Sequence, residues 1–144
     1  MNDLVFQLME VYYNEETGWE THLTPKEAEK YFKNLIKKDR ILAITSTRDT
    51  DNGMLEAYCE FWTINAEQLR KAISETERFY PETEDINSGE ICHIFCLWVR
   101  KDLRKAEHIR RIRRMIIDKC PHIEYFTGQE LKNNRRFRYH RIRR

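Results

Sequence analysis

The residues whose types and spacing best suit chemistry lie where Leu97-Trp98-Val99 runs into Arg100-Lys101-Asp102-Leu103-Arg104-Lys105. An apolar run there delivers the chain through a basic turn into a stretch with helical periodicity. The unpaired N–H groups and the dipole of a helix start hold anions. Arg100, Lys101, Arg104 and Lys105 would strengthen a grip on phosphate. The plain alternative for these residues is a solvated helix start. A second constellation closes the chain: Arg135-Arg136-Phe137-Arg138-Tyr139-His140-Arg141-Ile142-Arg143-Arg144 interleaves guanidinium groups with aromatics. That mixture suits phosphates and stacked bases, and with the Arg110–Arg114 cluster it would make one patch. An acidic protein partner fits the same composition. So does a solvated edge strand that arginines keep from aggregating.

Cys59, Cys92, His93, Cys96, Cys120 and His122 are of metal-ligating type. Cys92 and Cys96 fall in a run that reads as a strand, which sets their Cα atoms roughly 13 Å apart. A local pair at that distance does not clamp one ion. No metal site is expected, and the thiols read as small buried hydrophobes.

These residues need elements to position them. Leu4, Leu8, Val11 and Tyr12 have helical spacing within Asp3–Tyr13, and a polar loop from Asn14 to His22 follows. Thr24-Pro25-Lys26-Glu27 is a capping box with proline at the first helical position. Ala28, Tyr31, Phe32, Leu35 and Ile36 then form an apolar stripe through about Lys38. Arg40–Arg48 and Met54–Ile64 read as strands of an antiparallel hairpin about the turn Thr50–Gly53. Asn65 with Gln68 caps a helix in which Leu69, Ala72, Ile73 and Phe79 keep the period, and Pro81–Gly89 is an acidic loop. Ile91–Val99, apolar on both faces, reads as a central, doubly covered strand. A helix over about Arg104–Lys119 would bury Ala106, Ile109, Ile112 and Ile116 and leave His108 with the arginines on the other face. Pro121 stops it, His122–Thr127 reads as a strand, and the basic end 132–144 follows. The order predicts a single mixed α/β (α+β) domain over residues 1–144.

Composition narrows the class. The chain has 144 residues and 17.7 kDa, with 40% hydrophobic residues, four glycines and three prolines, which excludes collagen-like, linker-like and wholly disordered classes. The net charge of +2 hides a division. Residues 1–99 carry 10 Lys/Arg and 19 Asp/Glu, whereas 100–144 carry 16 and 5. Met1-Asn2-Asp3-Leu4 has no basic leader pattern, and the longest apolar run, Ile91–Val99, falls far short of a membrane span. With four cysteines that need no disulfides, a cytoplasmic protein without a membrane partner is expected.

Element order and residues together resemble the GNAT N-acetyltransferase superfamily over roughly residues 24–140. Leu97-Trp98-Val99-Arg100-Lys101-Asp102-Leu103-Arg104-Lys105 looks like its passage from central strand to pyrophosphate loop. Glu60-Phe61-Trp62-Thr63-Ile64-Asn65, Glu67-Gln68-Leu69 and Tyr125-Phe126-Thr127-Gly128, with the Phe137-Arg138-Tyr139 ending, are similar to small GNAT-like proteins of tailed phages and prophages. The resemblance implies a GNAT-like mixed sheet around the central strand Ile91–Val99, and acetyl-CoA as cofactor. The cofactor would be held by Leu97, Trp98, Val99, Arg104, Lys105, Ala106, Glu107, His108 and Ile109. The superfamily's loop has two glycine places, which Glu107 and Ile109 occupy here. A Cβ there stands between amide and phosphate, and Glu107 adds like charge. No Asn-x-x-Ala-x-x-Tyr run follows the last strand, and the start reads as helical where the superfamily has a strand.

The implied reaction is acetyl transfer to an amine, in which a base takes the ammonium proton and an acid returns one to the departing thiolate. Glu60 is the first candidate base, directly or through water. His93 has the matching pKa class, and Tyr139 or Tyr125 is the candidate acid. Each has a bland alternative: a surface carboxylate, a satisfied core histidine, packing tyrosines. Cys96 as a nucleophile lacks a base at fixed spacing. The other readings are a non-catalytic module using the basic end on nucleic acid or an acidic protein, and an interaction protein whose acidic and basic parts pair, within the chain or in a homodimer. The basic end also suits the 3′-phosphate of CoA.

Overall fold

The computed structural model describes residues 3–14, 23–50, 52–73, 89–103, 105–130 and 136–143, the side chains of 129, 130 and 136–138 aside. Along the chain run α1 (Asp3–Asn14), α2 (Pro25–Lys37), β1 (Ile41–Thr45), β2 (Leu55–Ile64), α3 (Ala66–Ile73), β3 (Ile91–Val99), α4 (Lys105–Lys119), β4 (Tyr125–Glu130) and β5 (Arg136–Arg141). The five strands form one mixed sheet in the order β1-β2-β3-β4-β5, with β3 in the middle. The architecture is the expected mixed α/β one. The chain divides into two compact units, residues 1–60 with 96–110 and residues 61–95 with 111–144. β2, β3 and α4 each contribute to both.

In the first unit, α1 buries Val5, Leu8 and Val11, and α2 buries Ala28, Phe32 and Leu35. Tyr12 meets the Phe32 ring edge-on at 6.2 Å. The capping box forms as its residues require: Glu27 N–H donates to Thr24 Oγ1 (3.3 Å), and Thr24 N–H donates to the Glu27 carboxylate (2.9 Å). The far end of α2 closes with Asp39 in the left-handed region (φ 58), while Arg40 N–H reaches Leu35 O. β1 and β2 pair antiparallel, Ile41 opposite Glu60 and Ala43 opposite Tyr58. The ladder slips between Ile44 and Thr45, so that Leu55 and Glu56 together oppose one step of β1. Gln7 of α1 clasps the hairpin end, donating to Gly53 O (3.0 Å) and accepting from Leu55 N–H (2.6 Å).

In the second unit, β3 and β4 run parallel from the pair Ile91/Tyr125 to Ile94/Gly128. β4 and β5 run antiparallel from Tyr125/Arg141 to Glu130/Arg136. Asn65 and Gln68 cap α3 reciprocally, at 3.0 and 2.8 Å. Its Leu69, Ala72 and Ile73 are half-buried, and Phe79 and residues 81–88 of the expected loop lie outside the described residues. Gly89 packs directly on the backbone of Ile64 and Asn65.

Three expectations need correction. Ile91–Val99 is central, but only Ile91, Cys92 and His93 are buried, and the strand is half-buried from Ile94 onward. The strand sealed along nearly its whole length is β2. Apolarity on both faces reports tolerance for burial; coverage depends on what lies over the strand. On α4, Ala106 is exposed and His108 is buried, so the inward seam is His108, Ile112 and Ile116. That seam steps by four residues, with Ile109 half-buried at its margin. Finally, His122 stands in a turn after Pro121 and β4 starts at Tyr125. Ile123 N–H is held by Cys120 O (3.3 Å), and the ladder toward β3 opens when Glu124 N–H reaches Glu90 O (2.7 Å).

Candidate functional site

The first unit holds the passage from β3 into α4. Leu97, Trp98 and Val99 are half-buried. At the strand's end Arg100 N–H donates to Glu56 O (2.9 Å), and Leu103 N–H turns back to Arg100 O (3.0 Å). Within this turn the Arg100 side chain pairs with Asp102 (2.7 Å), which holds the Asp102 carboxyl below its usual range. Lys101, Lys105, Ala106 and Glu107 are exposed, and Arg104 lies outside the described residues. His108 turns the other way. Its Nε2 sits 3.1 Å from Glu56 Oε1, and Arg48 approaches the other Glu56 oxygen at 3.7 Å. Because Glu56 lies in the slipped part of the ladder, strict alternation does not assign its side chain to one face.

This arrangement tests the fit of a CoA-type ligand. The half-exposed apolar end of β3 can flank an acyl-pantetheine arm, and His108 is withdrawn into a side-chain pair. Among the described residues of this helix start, Glu107 and Ile109 both carry side chains, so no glycine leaves the backbone bare for a phosphate. A pyrophosphate at this helix start would be held by the exposed cations Lys101 and Lys105, against the Glu107 carboxylate.

Also in the first unit, Glu60 is buried at 6% exposure and accepts a 2.5 Å hydrogen bond from the Tyr31 hydroxyl. It is therefore no surface carboxylate. Two residues earlier, the Tyr58 hydroxyl lies 3.3 Å from Cys96 Sγ and its ring tilts against Trp98 at 6.0 Å. Burial, then the neighbouring Cys96, raise the Tyr58 phenol, which stays protonated. The sequence does not single out Tyr31, Glu56 or Tyr58. Tyr31 sits in an apolar stripe, and the other two owe their neighbours to strand pairing, which leaves no spacing signal.

In the second unit, three strands place His93, Thr127 and Tyr139 in one row, His93 opposite Thr127 and Thr127 opposite Tyr139. His93 Nδ1 and Thr127 Oγ1 are 2.7 Å apart, both residues buried, and Phe95 meets the imidazole edge-on at 4.9 Å. Burial pushes the imidazole down to about 4, so the ring is neutral at pH 7. Its Nε2 has no hydrogen-bond partner among the described residues. Tyr139 departs from the row: it is 57% exposed and stacks on Tyr125 (centroids 5.4 Å apart, 23° between planes). On the other face of β4, Arg113 of α4 lies over the Phe126 ring at 5.8 Å, and Phe126 pairs with His140. Cys59, Cys92 and Cys120 are buried thiols and Cys96 is half-buried. Among the described residues no helix is long and apolar enough to cross a membrane.

No protein-family model matches the chain, and no curated protein matches it. Solved structures do. The loading GNATL domain of CurA from Lyngbya majuscula superposes with a TM-score of 0.56 at 12% identity, over 87% of this chain and 59% of that one. The GNAT-like decarboxylase GphF, in complex with isobutyryl-CoA, gives 0.55 at 15% identity, over 87% of this chain and 62% of that one. This chain thus spans about 60% of the length of these neighbours. The fold is GNAT-like.

Proposed function

We propose that the chain handles acyl-CoA, transferring a short acyl group such as acetyl to an amine. The observation that carries this reading is the half-buried end of β3, Leu97–Val99, turning through a basic loop into α4 on a GNAT-like fold. A structural neighbour of that fold is a complex with an acyl-CoA. When bound, acyl-CoA would supply a thioester carbonyl for an amine to attack, the C–N bond forming as the C–S bond breaks and CoA leaving as the thiol with the proton that the amine gives up. The chain's own residues then have three tasks. Leu97, Trp98 and Val99 flank the acyl arm. Lys101 and Lys105 meet its phosphates at the start of α4. Glu60 takes the proton that the amine releases, its carboxylate oriented by the Tyr31 hydroxyl. His93, neutral and bonded to Thr127, is better suited to holding the sheet than to shuttling protons at pH 7.

Calorimetric titration of the protein with acetyl-CoA, isobutyryl-CoA and free CoA tests the reading. Binding of the acyl forms is expected, weakened by Lys105→Glu. No heat and no thermal shift at millimolar ligand would refute acyl-CoA handling and leave the fold untouched.

A further inference from the structure

The second unit carries a surface that acyl-CoA handling does not use. β5 ends the sheet, and no described strand pairs with its outer side. On one face of this edge, Tyr139 and Arg141 share the side of Tyr125 and Thr127 by register. One face of the Tyr139 ring rests on Tyr125, and more than half of that side chain is open to solvent. Arg141 and Arg143 are exposed beside it. On the other face His140 is exposed, and it is register-paired with Phe126, over which Arg113 lies. Arg111 and Arg114 of α4 are exposed as well. Cations therefore stand on both faces of the edge: Arg141 on the side of the tyrosine pair by register, and Arg113 over Phe126 on the other. Over residues 111–144 the chain has 11 Lys/Arg and three Asp/Glu.

From this juxtaposition we infer that the β5 edge binds single-stranded nucleic acid, its phosphates on the arginines and a base on the free face of Tyr139. Two features select this occupant. An acidic peptide would satisfy the arginines but has no flat partner for the solvent-facing side of the tyrosine stack. A base has a π-face for it. A duplex hides its base faces within the helix, whereas an unpaired strand can splay one out. The positive charge adds a sequence-independent attraction that weakens with salt.

The test is fluorescence anisotropy of the full chain with labelled oligothymidylate, a hairpin duplex of equal charge, and polyglutamate as competitor. Single strands should bind more tightly than the duplex, and polyglutamate should compete poorly. Tyr139→Ala should weaken single-strand binding roughly 5- to 150-fold, the span of one lost base stack, while Tyr139→Phe keeps it. Arg141→Gln and Arg143→Gln should each flatten the logarithmic salt slope by about 0.7. Circular dichroism checks that each variant is folded, and a misfolded alanine variant passes the decision to the two arginine variants and the competitors. Equal binding of duplex or polyglutamate, or a folded Tyr139→Ala that binds like the parent, would overturn the inference. Because acyl-CoA is read by calorimetry at the other unit's residues, the two readings stand or fall separately.

Discussion

Acidification should destabilise this protein through one imidazole. His93 is buried among Thr127, Phe95 and the strands that carry them, and its folded pKa of about 4 lies below the ordinary 6.5. The unfolded chain therefore binds a proton that the folded chain refuses. Stability is intact above the unfolded value and is lost as pH falls from there toward the folded one. The full shift corresponds to about 3 kcal/mol, of which about 2 kcal/mol is gone by about pH 5. That is a large share of the ordinary stability of a small domain. Urea unfolding at about pH 7.5 and about pH 5 should show the midpoint falling by roughly 1 M, given typical slopes. Other titrating groups contribute to the same fall, so the decisive quantity is a difference. In His93→Leu with Thr127→Val, both partners of the 2.7 Å bond are replaced together, which leaves neither as a buried orphan. That variant should be less sensitive to pH by about 2 kcal/mol over the interval. An identical pH dependence in parent and variant would refute the argument and make His93 a titrating, solvent-connected group.

Two further outcomes follow from the glycine positions. Glu107→Gln removes a carboxylate from the first turn of α4, where a bound pyrophosphate would lie, and should tighten CoA binding roughly fivefold in calorimetry; unchanged affinity would move the phosphates elsewhere. Gly89→Ala would place a Cβ 1.9 Å from Ile64 C and O and 2.5 Å from Asn65 N, so the end of β2 must shift. Urea denaturation should record a loss of about 1–3 kcal/mol, and a variant as stable as the parent would contradict this packing.

What the sequence disclosed and what it withheld divide along a physical line. The reciprocal caps at Thr24/Glu27 and Asn65/Gln68 were legible because donor and acceptor are three residues apart and no distant partner is needed. The hairpin follows from β-branched runs and a turn; the central position of β3 follows from its apolarity on both faces, which did not bring burial beyond His93. The inward face of α4 did not. Apolarity alone favours Ala106 over His108, and only the slipped ladder at Glu56 supplies the partner that makes a buried histidine affordable. The same reason hid Thr127 beside His93 and Tyr31 beside Glu60. Each pair joins residues at least 29 positions apart, so its chemistry resides in register and packing. Composition placed the basic, aromatic end; strand pairing adds what spacing does not carry, a Tyr139–Tyr125 stack on one face and Arg113 over Phe126 on the other.

That end of the sheet presents two roles with opposite sequence demands. Protecting an edge strand from pairing with another chain needs charge, of either sign, and is served poorly by an exposed aromatic β-former. Recognising an unpaired nucleic-acid strand needs positive charge specifically and rewards an exposed ring. Arg141 and Arg143 satisfy both demands, so their presence decides nothing. Tyr139 separates the two roles by experiment: its stack on Tyr125 supports the sheet edge in either case, whereas only the nucleic-acid reading needs the 57% of the residue left in water. The stack on Tyr125 keeps the ring fixed against the strand, so little side-chain freedom is left to lose when a base settles on it. Replacing both arginines with glutamate separates the roles: the edge stays charged, so light scattering should show the same oligomeric state as the parent, while the attraction that brings a phosphate chain to the ring is reversed and anisotropy with oligothymidylate should show binding lost.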